Sequence, residues 1–68
     1  MALFYVNKNP QIGGEHEIHT SSCAWLPKPE NRIILGEFIY CSDAIKEARK
    51  YYDDVDGCEH CCPACHKK

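Results

Sequence analysis

No stretch of this chain approaches the ~18 consecutive apolar residues of a membrane span, which excludes a bilayer-crossing helix at the level of sequence. The opening residues MALFYVNKNPQ lack a charged segment followed by an apolar run, so they do not read as a secretory leader. Positive charge is also scarce: eight Lys and Arg stand against ten Asp and Glu, for a formal net charge of −2 and a pI near 6.0. Nucleic-acid binders generally show a strong basic balance. There is no internal repeat, linker or low-complexity tract, and residues 1–68 read as a single domain. No Ser/His/Asp set and no acid–base pair emerges from the spacing, so the expectation is a protein that is not an enzyme.

Size is the remaining shortage. In 68 residues apolar burial and chain entropy nearly cancel, and scaffolds of this length usually add a metal or disulfides. Cysteine is what the chain has in plenty, at six residues. Thiols pair in oxidising compartments and bind metals in reducing ones. With an initiating Met and no leader, a cytoplasmic setting and a zinc site are expected, with a disulfide framework as the alternative.

The ligand residues fall into two groups. His19-Thr20-Ser21-Ser22-Cys23 lies near the front, and Cys58-Glu59-His60-Cys61-Cys62-Pro63-Ala64-Cys65-His66 closes the chain. Zinc takes four N or S ligands in a tetrahedron. Cys-x-x-Cys supplies two from one tight turn whose amides can hydrogen-bond the thiolates, and Cys58 with Cys61 fits that form. His19 and Cys23 can converge across a strand-to-turn bend. The four make a Cys3His site, which sheds three thiol protons, gains a dication and leaves the chain one unit more negative. Cys62-Pro63-Ala64-Cys65 is a second Cys-x-x-Cys, and a set drawing on Cys62 or Cys65 is the competing assignment. Cys61 and Cys62 are neighbours, so their side chains are expected to diverge and not share an ion. Cys41 reads as a small buried apolar residue, His16 as a surface histidine, and Cys62, Cys65 and His66 as a frayed tail with free thiols.

The elements follow from local signals. Leu3-Phe4-Tyr5-Val6 is apolar and β-branched and reads as a first strand. Asn9-Pro10 and Gly13-Gly14 mark a turn, and Glu15 to His19 alternates as a second strand, placing His19 on the face opposite Ile18. Trp25 and Leu26 are expected to cap the metal site with apolar bulk. Arg32 to Phe38 reads as a third strand, with Gly36 as a bulge. Ser42 suits an N-cap, with Asp43 at the positive end of the helix dipole. Ala44 to Tyr52 is then helical, with Ile45, Ala48 and Tyr52 as the buried stripe, widened by Ala44 and Tyr51. Asp43 with Lys46 and Glu47 with Lys50 are i, i+3 surface pairs. Asp53 to Gly57 ends the helix, Gly57 taking a positive φ. The fold class expected is α+β: a small antiparallel sheet and one helix, stapled by zinc.

The order Tyr5-Val6, His19-x3-Cys23, Leu35-Gly36-Glu37-Phe38, Ala44, Ala48, Gly57-Cys58-x2-Cys61 resembles the metal-binding domain of Ada-type DNA methyl-phosphotriester repair proteins. It is also similar to short modules appended to some bacterial competence and nuclease-like proteins, and to stand-alone bacterial proteins of this length. The resemblance spans most of residues 3 to 61 and implies a ββα-like, zinc-centred fold with ligands at His19, Cys23, Cys58 and Cys61. Ada-type modules use four cysteines, whereas the first ligand here is His19, and the approach to Cys58 is acidic through Asp53, Asp54 and Asp56. Three function classes follow. One is a structural zinc module that binds a partner protein. The second is a nucleic-acid-binding or alkyl-acceptor module, which the charge disfavours. The third is a metal-handling or thiol-redox protein using Cys62, Cys65 and His66.

Overall fold

The computed structural model describes residues 1–68. Alternation along β1 (Ala2–Asn7) sends Phe4 and Val6 to one face, where both are buried, and Leu3, Tyr5 and Asn7 to the other. Strand β2 (His16–Thr20) runs antiparallel to it with Val6 opposite Ile18 and Tyr5 opposite His19. Strand β3 (Arg32–Phe38) pairs antiparallel with the other edge of β1. Its register shifts where Gly36, at φ +122°, faces Phe4, so the bulge expected at this glycine is present.

Helix α1 (Cys41–Ala48) lies on the Phe4–Val6 face. Ala44, Ile45 and Ala48 join Phe4, Val6, Ile18, Leu35 and Cys62 in the buried core. Two alanines on the contact stripe let the helix approach the sheet closely. The fold is α+β as expected, one helix on a four-stranded sheet. The sheet is mixed, because β4 (Val55–Gly57) adds parallel to β2 and gives the order β3-β1-β2-β4.

Several local expectations are corrected. The helix starts earlier than residues 44–52 and is capped by Tyr40 in an extended conformation, not by Ser42. Cys41 is bonded to Cys65, so a cross-chain tie holds the first turn where a hydroxyl was expected to do so. Beyond Ala48 the amides of Lys50, Tyr51 and Tyr52 fold back onto the Glu47 and Ala48 carbonyls as turns. Tyr52 packs against the core, but Tyr51 is exposed and does not widen the stripe. Glu47 and Lys50 pair at 3.0 Å, whereas Asp43 and Lys46 form no ion pair. Residues 55–57 are strand, and the positive φ angles belong to Gly14 and Gly36, not Gly57.

The tail is tied down and does not fray. Asp56, buried on β4, accepts the amides of Lys67 at 2.8 Å and Lys68 at 3.1 Å. The His66 ring donates from Nδ1 to the Gly57 carbonyl at 2.9 Å. His16 is likewise more than a surface histidine. Its ring stacks on Tyr52 at 3.6 Å between centroids and its Nδ1 donates to the Asn7 carbonyl, tying the end of β1 to the start of β2 across their connecting loop. No helix is long and apolar enough to cross a membrane.

Candidate metal centre

Register places the first ligand. His19 lies one residue beyond Ile18 on β2, so the two face opposite sides of the sheet, Ile18 into the core and His19 onto the face away from α1. Cys23 follows in the turn after β2, where its amide donates to the Thr20 carbonyl at 3.1 Å. The second pair arrives through β4. The Cys58 amide continues the β2–β4 ladder by donating to the Ile18 carbonyl at 3.1 Å, and the Cys62 amide returns to the Cys58 carbonyl at 2.8 Å, closing the turn that presents Cys61. The short strand missed in the sequence is thus what carries the rear pair to the front one.

The ligand atoms of His19, Cys23, Cys58 and Cys61 all lie within 4.8 Å of one another, close enough to hold a metal ion. The Cys23 and Cys58 sulfurs are 3.9 Å apart. Each sulfur accepts one backbone amide at 3.4 Å: Cys23 from Trp25, Cys58 from His60 and Cys61 from Thr20. Such donors disperse the charge of a thiolate.

His19 is 2% exposed, and neither ring nitrogen has a hydrogen-bond partner. Glu17 Oε1 lies 3.7 Å from Nε2, beyond hydrogen-bonding reach. A buried polar ring left without partners costs about 1–3 kcal/mol. A metal would satisfy one nitrogen directly. Burial lowers the pKa of His19 below the ordinary value, favouring the neutral ring that a metal requires. Burial also raises Cys23 and the Glu17 carboxyl. A bound dication reverses that cost for a coordinating thiol, which then gives up its proton.

The remaining cysteines are not spare tail thiols. Cys62 belongs to the core, where burial first and the neighbouring Cys61 next push its thiol up to about 12. Its sulfur lies 3.6 Å from that of Cys61, so the two do not diverge as adjacency suggested, yet Cys62 stays outside the four-residue cluster. Cys41 and Cys65 form a disulfide and have no thiolate to offer a metal. The sequence held only a weak signal for that pairing, an even cysteine count with one residue just ahead of a helix.

Trp25 does not roof the centre with buried bulk. It is 64% exposed, stacked on His60 at 5.2 Å between ring centroids. That pair lines a cleft of about 280 Å³ shared with His19, Cys58, Glu17 and Glu59. Comparison of the chain with protein-family models, with curated proteins and with solved structures found no match.

Proposed function

We propose that the chain is a non-enzymatic zinc-binding module, in which His19, Cys23, Cys58 and Cys61 hold one Zn2+ as a structural centre and the surrounding surface meets a partner protein. The observation that carries this reading is the convergence of the four donors within 4.8 Å. In a zinc tetrahedron with Zn–S of about 2.3 Å, two sulfurs stand about 3.8 Å apart, and Cys23 and Cys58 are 3.9 Å apart. One imidazole and three thiolates suit zinc in a reducing cytoplasm, and four protein ligands leave no open position for hydrolysis. Under this reading the likeness to Ada-type modules extends to the ligand positions and the metal, not to methyl transfer.

A protein partner is favoured over nucleic acid by what surrounds the centre. Glu17 and Glu59 share the cleft beside His19 and Cys58, and Asp56 pairs with Glu17 across β2 and β4. Carboxylates there oppose phosphate. The exposed indole of Trp25 at the rim is of the type that anchors protein interfaces. The test is a zinc count by native mass spectrometry. One zinc per chain is expected for the wild type and for Cys65→Ser, with loss in His19→Ala and Cys58→Ser. A metal-free wild type, or zinc lost only on changing Cys65, overturns the assignment.

A further inference from the structure

We propose that the Cys41–Cys65 disulfide is an exchange site for small carboxylate-bearing thiols of the glutathione class, received in a cationic groove between α1 and the tail. The inference stands apart from the metal centre, since none of the four ligands lines this groove.

The groove measures about 270 Å³. Lys46, Arg49 and Lys67 line it over an apolar floor of Ile45 and Val55, and one sulfur-bearing residue of the disulfide, Cys65, opens into it while Cys41 does not. In a chain of net charge −2, three cations around one groove are a local reversal of sign. Asp56 is the single acidic residue on the lining, and its carboxylate is 2% exposed and engaged with the Lys67 and Lys68 amides. A groove of this kind concentrates an anionic thiol at Cys65.

The other half of the disulfide is placed to leave. Cys41 is the first residue of α1, where unpaired amides and the helix dipole stabilise a thiolate. Asp43, two residues on, offsets part of that effect. In thiol–disulfide exchange the thiol of lower pKa leaves faster. A thiolate RS− attacks Sγ of Cys65. The RS–Sγ bond forms, the Cys41–Cys65 bond breaks, and its electron pair goes to Cys41, which takes a proton from solvent. A second RS− attacks the sulfur of the first RS in the mixed disulfide, giving RSSR and the Cys65 thiolate. The protein is reduced by two electrons and two thiols are oxidised to one disulfide. Disulfides of reducing compartments are mostly of this exchanging kind.

The experiment uses the full oxidised chain as purified, whatever metal it carries. Glutathione, 2-mercaptoethanol and cysteamine are compared at equal thiolate concentration, with acid quenching, intact mass and peptide mapping. The expected adduct is glutathione on Cys65, formed roughly tenfold or more faster per thiolate than with cationic cysteamine, the scale of electrostatic focusing. Replacing Lys46, Arg49 and Lys67 together by Gln is expected to close that gap while leaving the 2-mercaptoethanol rate unchanged. Should the triple variant fail to fold, raising ionic strength on the wild type is expected to close the gap instead. The proposal is overturned by an adduct on Cys41, by cysteamine reacting as fast as glutathione, by a gap insensitive to salt and charge removal, or by Cys41 and Cys65 remaining free thiols in air.

Discussion

A methyl group on Gly57 would stand 2.8 Å from the Cys62 carbonyl oxygen and 2.8 Å from Cys65 Cβ, with backbone on one side and the disulfide on the other. Neither neighbour is the free end of a flexible side chain, so the Cys58–Cys65 segment must move. Gly57→Ala is therefore expected to cost about 1–3 kcal/mol, the range for overpacking, read as a lowered midpoint in urea unfolding. An unchanged midpoint would mean that the segment gives way freely. Glycine there was legible as a special position, but the reason assigned from sequence, a positive φ, was not the operative one. At the same scale, His66 is held more basic than the ordinary histidine value of 6.5, first by donation to the Gly57 carbonyl and then by Asp56 and Glu59. The protonated ring favours the folded tail, so its contribution is complete below pH 6.5 and is lost as pH rises through the higher folded value. Protection of the Lys67 and Lys68 amides from hydrogen exchange, corrected for intrinsic rate, should fall across that window. A flat profile would separate His66 from tail order.

The elements divide by how local their causes are. Strands β1 and β3 were readable because alternation and β-branching act within a few residues, and Arg32 to Phe38 matches the strand end to end. Helix α1 was readable as a helix but misplaced at both ends: Cys41 at its start is tied to a residue 24 positions away, and beyond Ala48 the amides close turns instead of continuing the helix. Strand β4 was not readable: three residues, Val-Asp-Gly, carry no periodicity, and they become strand only because β2 offers a free edge. Packing of α1 supplies the prediction at this scale. Ala48 is fully buried against the sheet, so Ala48→Leu is expected to destabilise by about 1–3 kcal/mol through overpacking. Lys50→Ala, on the solvent side, should stay within about 0.5 kcal/mol. Equal midpoints for the two variants in urea would show that the α1–sheet contact is not close-packed.

Across the whole molecule, the C-terminal segment is tied to two different places: Cys65 is bonded to Cys41 at the start of α1, and Cys58 and Cys61 meet His19 and Cys23 at the end of β2. The disulfide closes a separation of 24 residues, which the chain-entropy account values at about 3 kcal/mol. The zinc centre proposed above would bind with an apparent ~10–16 kcal/mol, the range for structural sites in small peptides, comparable to the whole stability of a domain at about 5–15 kcal/mol. The magnitudes rank the metal first. Chelation of the oxidised chain is expected to abolish its far-ultraviolet circular dichroism signature of fold. Reduction with zinc retained is expected to leave that signature and lower the unfolding midpoint. A metal-free, oxidised chain that keeps its full signal would show that core and disulfide suffice.

Read alone, the residues determined that the chain is short of core and that it holds two ligand groups; they favoured His19, Cys23, Cys58 and Cys61 for a tetrahedral ion but left a set drawing on Cys62 or Cys65 in competition. Those conclusions rest on counts and spacings, which are local and survive without coordinates. Tertiary structure decided what the remaining sulfurs do: Cys62 enters the core, and Cys41 and Cys65 join across the helix. It also decided that the tail is held by Asp56 and that Trp25 lies open at the rim. The places of Asp56 and Cys58 follow from the β2–β4 pairing, and a parallel contact between segments some forty residues apart leaves no mark in the sequence near either one.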